Sequence, residues 1–128
     1  MTDHTTHVNI FLADENVFGP AVALATSWGV TIIRDQDLDV ETVRAHCPPR
    51  TLYDICLFQY AMAMGYVLVT ANVKDFEWQY YEYAETHETP GIVFIRDKYH
   101  RSAHEIATWL ALWSDEDLKN RLLYLPPQ

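Results

Sequence analysis

TLYDICLFQYAMAMGYVLVTANVKDF, residues 51–76, runs from a helix into a strand and on into a second helix with almost nothing between them. Ile55, Phe58 and Met62 share one side of a 3.6-residue period, and Gly65 stands where a helix is expected to end in a left-handed residue. YVLVT (66–70) is apolar until Thr70, too short for a helix of its own, and reads as a buried strand; Asp75 opens the helix after it. A strand that is apolar throughout needs cover on both of its faces, which is the signature of a parallel sheet between two layers of helices.

The flanking sequence repeats this alternation. VNIFLA (8–13) is a first strand, and Val17, Ala21, Leu24 and Trp28 recur at helical spacing after it, with Pro20 tolerable in the first turn and Gly29 as a stop. VTII (30–33) predicts a second strand, and DLDVETVRAH a short helix closed by CPP. GIVFI (91–95) is the fourth strand, SAHEIATWLALW a helix with Ile106, Leu110 and Trp113 in a stripe, and RLLYL a short fifth strand. Ser102 with Glu105, and Thr51 with Asp54, have the spacing of capping boxes. The order β-α-β-α-α-β-α-β-α predicts one α/β domain over residues 1–128, a three-layer α/β/α sandwich around a parallel sheet of four to five strands, with residues 1–7 as a flexible tail.

Composition narrows the function. The 128 residues are 49% hydrophobic and carry a formal charge of −9, so the surface lacks the basic stripe by which proteins grip long nucleic acid. The apolar runs are too short for a membrane span and the N-terminal residues lack the pattern of a secretion signal, which leads to the expectation of a cytoplasmic protein without a membrane partner. Cys47 and Cys56, in no paired metal motif, are expected to be reduced core thiols. Among six histidines only His100 and His104 have ligand-like i,i+4 spacing, and they read as a solvated helix start.

The polar residues are better organised. Ligands of parallel α/β sheets bind at the carboxyl ends of the strands. Asp14, Glu15 and Asn16 follow the first strand, Thr70 and Asn72 the third, Asp75 opens the next helix, and Asp54 lies in the first turn after the double proline. Each alone has the ordinary role of a cap or turn residue. Their convergence on one rim is what capping does not explain: gathered carboxylates raise one another's pKa unless a cation lies between them, and oxygen-only donors favour Mg2+ or Mn2+.

FLADENV (11–17), LYDICLFQYAMAMGYVLVTANVKDF (52–76) and GIVFIR (91–96), in this order and spacing, resemble the PIN-like domains, above all the small branch with an L-x-D-E-N start and a V-L-V-T-x-D-x-D-F motif. The resemblance covers residues 9–97 and implies a metal-dependent endoribonuclease, often the toxin of a toxin–antitoxin pair, with Mg2+ or Mn2+ as cofactor. Carried over residue by residue, it assigns catalysis and metal binding to Asp14, Asp54 and Asp75. Asn72 stands where the family has Asp, so it enters the metal set as a neutral oxygen donor.

The residues themselves add the basic complement. Arg34 and Arg96 leave strands in IIRD and FIRD, Lys74 precedes Asp75, and Arg50 precedes the turn bearing Asp54, so four of nine basic residues are expected beside the acids. With Glu15, Asn16 and Thr70 they are the candidate substrate contacts for RNA. A phosphoreceiver domain fails because Asp54 does not follow a buried strand, and a haloacid-type phosphatase because D-E-N replaces D-x-D. The remaining alternative is a catalytically silent PIN-like module that binds protein or RNA. DFEWQYYEYAETHETP (75–90) places Trp78, Tyr80, Tyr81 and Tyr83 in one segment, more aromatic surface than one helix easily buries, and predicts a protein interface with an antitoxin or in a homodimer.

Overall fold

The computed structural model describes residues 7–96, 99–125 and 127. Five strands form one sheet in the order β2-β1-β3-β4-β5. They are β1 (Phe11–Ala13), β2 (Ile32–Arg34), β3 (Val67–Thr70), β4 (Ile92–Ile95) and β5 (Leu122–Leu125), every adjacent pair being parallel. The expected short fifth strand is therefore present as an edge. The helices are α1 (Gly19–Ser27), α2 (Val40–Arg44), α3 (Tyr53–Met64), α4 (Val73–Ala84) and α5 (Ala103–Trp113), with a 3-10 turn at Asp35–Asp37.

Two cores follow from the pleat. Phe11, Ala13, Val67, Val69, Val93 and Ile95 point to the face covered by α1 and α5, and Leu12, Leu68, Ile92 and Phe94 to the face covered by α2, α3 and α4. This is the three-layer sandwich that the apolar strands called for. Its last step is unusual: β3-α4-β4 and β4-α5-β5 move the same way across the sheet with their helices on opposite faces, so the two crossovers have opposite hand. The packing gives a reason. Alone, the nine-residue α1 leaves Val93, Ile95 and Leu125 without cover, and its small Ala21 and Ala25 let α5 lie close beside it.

Local expectations were met unevenly. Ile106, Leu110 and Trp113 are buried as the stripe predicts, and Gly65 ends α3 with φ 75°. In α1 the buried face is Ala21, Val22 and Ala25, while Trp28 is 47% exposed, because the helix stops at Ser27 before the stripe reaches it. Neither capping box forms. Thr51 Oγ1 donates to the carbonyl of Pro48 at 2.7 Å, since α3 has Leu52 at its N-cap, and Ser102 at the N-cap of α5 makes no side-chain bond to the helix.

Cys47 and Cys56 are not free thiols: they form a disulfide. The turn through Pro48 and Pro49 brings their Cα atoms to 5.4 Å, inside the range that a disulfide spans. Residues 1–6 of the expected tail lie outside the described residues, and His7 bonds Asn9 Oδ1 at 2.9 Å. Among the described residues no helix is long and apolar enough to cross a membrane.

Candidate functional site

In the order β2-β1-β3 the chain leaves β1 toward one edge and returns to its other side as β3, so a crevice opens between the carboxyl ends of β1 and β3. Asp14 and Thr70 stand there. They fall on the pleat face of Leu12 and Leu68 and so lean toward α3 and α4. Asp14 is 5% exposed and Thr70 fully buried. Thr70 Oγ1 donates to Asp14 Oδ2 at 2.6 Å and accepts the Asn72 backbone N–H at 2.9 Å. The backbone N–H of Asn16 donates to Asp14 Oδ1 at 3.0 Å. Asn72 Nδ2 in turn donates to Asp75 Oδ2 at 2.7 Å. TANVKD thus joins two of the predicted acids through one continuous network.

The electrostatics extend the group. Burial, with repulsion from Asp54 and Asp35, pushes the Asp14 carboxyl up to about 6 against the pull of its bonds to Thr70 and Asn16. Asp54 lies in the first turn of α3, exposed because the capping box is absent; partial desolvation, then Asp75, Glu15 and Asp35, raise its pKa. Among the described residues no basic side chain offsets this repulsion at Asp14, Asp35 or Asp54.

Asp35 is the acid that the sequence reading passed over. Ala13 pairs with Arg34, so Asp14 and Asp35 occupy equivalent places on neighbouring strands. The signal was present in IIRD, where period-two alternation sends consecutive residues to opposite faces. Asp35 is buried and accepts the Tyr53 hydroxyl at 2.8 Å, and burial raises both pKa values.

The basic residues converge less than expected. Arg34 takes the other pleat face, its guanidinium near Gly19 at the start of α1, and so turns away from the acids. Arg50 is exposed with φ 68°, in a turn that directs it to solvent. Arg44 takes the nearer place, 5.4 Å from the centre of the Tyr53 ring and bonded to the Thr51 carbonyl at 3.1 Å. Lys74 and Arg96 do line one cleft, of about 500 Å3, with Asn72, and Arg96 lies 4.6 Å over the Tyr124 ring. Asn72 also lines a second cleft of about 460 Å3, with Asn16 and His100. Glu15 is exposed at the rim, and Asp97 lies outside the described residues.

The donors offered, carboxylate, amide and hydroxyl oxygens with neither thiolate nor imidazole, fit a hard dication, and so does their uncompensated charge. Among the described residues no three His, Cys, Asp or Glu side chains form a ready ligand group. The arrangement therefore fits an ion held by one or two carboxylates that keeps several waters. Comparison with family models, with curated proteins and with solved structures finds no match to this chain.

Proposed function

We propose that the chain is a metal-dependent endoribonuclease of PIN-like type, acting in the cytoplasm as the toxin of a toxin–antitoxin pair. The observation that carries the reading is Asp14: a buried carboxylate at the sheet's crevice, repelled by Asp54 and Asp35, with a pKa driven up to about 6 and, among the described residues, no basic side chain bonded to it. Structural acids are usually paired with a base or a helix terminus; this one is held by Thr70 and kept near other carboxylates.

Asp14 and Asp75 are the residues to hold Mg2+ or Mn2+, with Asp54 close by. A bound ion activates a water and neutralises charge on a phosphate. The chain's own contribution is orientation. Thr70 fixes Asp14 through its second oxygen, and Asn72 steers Asp75 without adding a charge. Lys74 and Arg96 supply the positive wall against which a phosphodiester can settle, on a molecule whose total charge repels it. Asn16 and His100 line the second cleft beside Asn72, which offers room for a neighbouring nucleotide.

The test is cleavage of single-stranded RNA with Mn2+ or Mg2+. Asp14→Asn and Asp75→Asn are expected to lose at least ~100-fold in rate while remaining folded, in line with removal of a ligand that supports the reactive centre. Cleavage at the wild-type rate in both variants rules the site out. The second reading, a silent PIN-like binding module, is favoured by Asn72, whose amide is engaged by Asp75, and by the lack of a ready three-acid group among the described residues. A folded wild type that neither cleaves RNA nor gains stability from divalent ions supports that module instead.

A further inference from the structure

Away from the acidic rim, α3 and α4 enclose a groove of about 490 Å3. Its walls are helix rows: Ile55 and Gln59 on α3, and Trp78 and Glu82 on α4 continued at i+7 by Glu85, the residue that caps its C-terminus. Trp78 is 53% exposed, a large apolar surface that no intramolecular packing uses. The far end is aromatic. Tyr83 meets Phe58 edge-to-face with ring centres 5.8 Å apart and stacks on His87 at 4.3 Å, and Thr86 bonds the His87 ring at 2.8 Å. Among the described residues no Lys or Arg lines the groove, whereas Glu82 and Glu85 do.

We propose that this groove docks a basic amphipathic helix of another protein, with an apolar side chain against Trp78 and arginines or lysines toward Glu82 and Glu85. Rows on two adjacent helices suit the helix-in-groove mode, and the mutual packing of Tyr83, Phe58 and His87 holds the aromatic end in place before a partner arrives. Charge selects the occupant. A second copy of a chain of net charge −9 meets like charge in the groove, and RNA phosphates meet the same glutamates. A cationic helix is attracted by the glutamates, by the negative end of α4 and by the faces of Trp78 and Tyr83. The inference stands whether or not the chain cleaves RNA, since neither Asp14 nor Asp75 lines the groove.

The probe is a synthetic helical peptide with leucines on one face and arginines and lysines on the other, titrated calorimetrically into the full chain. Binding is expected to weaken with salt, to fall at least ~10-fold in Trp78→Ala, and to fall about as far in the double variant Glu82→Gln, Glu85→Gln with a flatter salt dependence. Tyr81→Ala, an equally exposed aromatic of α4 outside the groove, is expected to leave it unchanged. The same peptide with glutamates in place of its cations is expected not to bind. The proposal is overturned if the basic peptide binds wild type and all variants alike, which is diffuse charge attraction, or if it fails to bind at ~1 mM. It is likewise overturned if the groove glutamates matter but Trp78 does not.

Discussion

Asp14 pays the highest desolvation cost on the rim, and its raised pKa fixes the sign of a stability effect. A carboxyl at about 6 in the folded chain and 3.8 as a reference stabilises the fold fully below about pH 3.8, and this contribution is lost as pH rises through 6. Two pKa units correspond to about 3 kcal/mol. Asp14→Asn is therefore expected to raise metal-free stability by about 1–3 kcal/mol at neutral pH, with the advantage vanishing near pH 4, as read from urea unfolding across that range. The amide keeps an oxygen for the Asn16 N–H, and Thr70 can accept its nitrogen. Asn72 gives the converse case. Its Nδ2 lies 2.7 Å from Asp75 Oδ2, so Asn72→Asp replaces a hydrogen bond by two facing carboxylates. Lower metal-free stability together with tighter Mn2+ binding is the expected pair of changes; a variant that alters neither shows that residue 72 does not act on the acids. Asp14, Thr70 and Asp75 were legible because strand ends and a helix start locate them in one dimension. For Asp35 and Arg34 the alternation in IIRD signalled only that they take opposite faces; which of the two meets Asp14 depends on β2 pairing with β1 in this register.

The elements were easier to read than their ends. Strands showed because they are apolar throughout, and α5 because its stripe is long enough to define a face. The start of α3 is displaced from the apparent capping box, and that displacement leaves Asp54 uncommitted at the rim. The segment ahead of it is tied by Cys47–Cys56, whose pairing depends on how a turn with two prolines closes and so escaped the spacing. Replacing both cysteines by serine is expected to lower unfolding free energy by about 2–3 kcal/mol, the loop-closure value for so short a ring; thermal melts with and without reductant check it. The entry to β4 is constrained differently. Gly91 has φ 104°, and a Cβ there would lie 2.5 Å from the carbonyl oxygen of Leu118. Gly91→Ala is expected to cost at least ~2 kcal/mol in the same melts, from strain and from a backbone that must shift; an unchanged melting temperature contradicts that close approach.

Charge links the acidic crevice to the behaviour of the complete chain. A net −9 opposes the approach of any polyanion, and Lys74 and Arg96 in one cleft are a local exception to it. Which helices cover which face could not be read from the alternation of elements, because it rests on how α5 packs on α1; the sandwich itself could, and the sandwich is what gathers the acids. A dication bound only by the folded state must stabilise it by mass action, about 2.7 kcal/mol at a hundred times the dissociation constant. Protons compete for the same carboxylate. With Asp14 at about 6, the ion meets a protonated acid below that pH and an ionised one above it. The melting temperature is therefore expected to rise with Mn2+, and less with Mg2+, by an amount that is largest near pH 8 and fades toward pH 5. Screening by salt acts differently: NaCl at equal ionic strength relieves the surface charge without occupying the crevice. Asp14→Asn separates the two effects, because it keeps eight of the nine excess charges but removes the buried carboxylate. If Mn2+ stabilises that variant as much as the wild type, or if NaCl reproduces the gain, the acids hold no specific ion and the catalytic reading loses its centre.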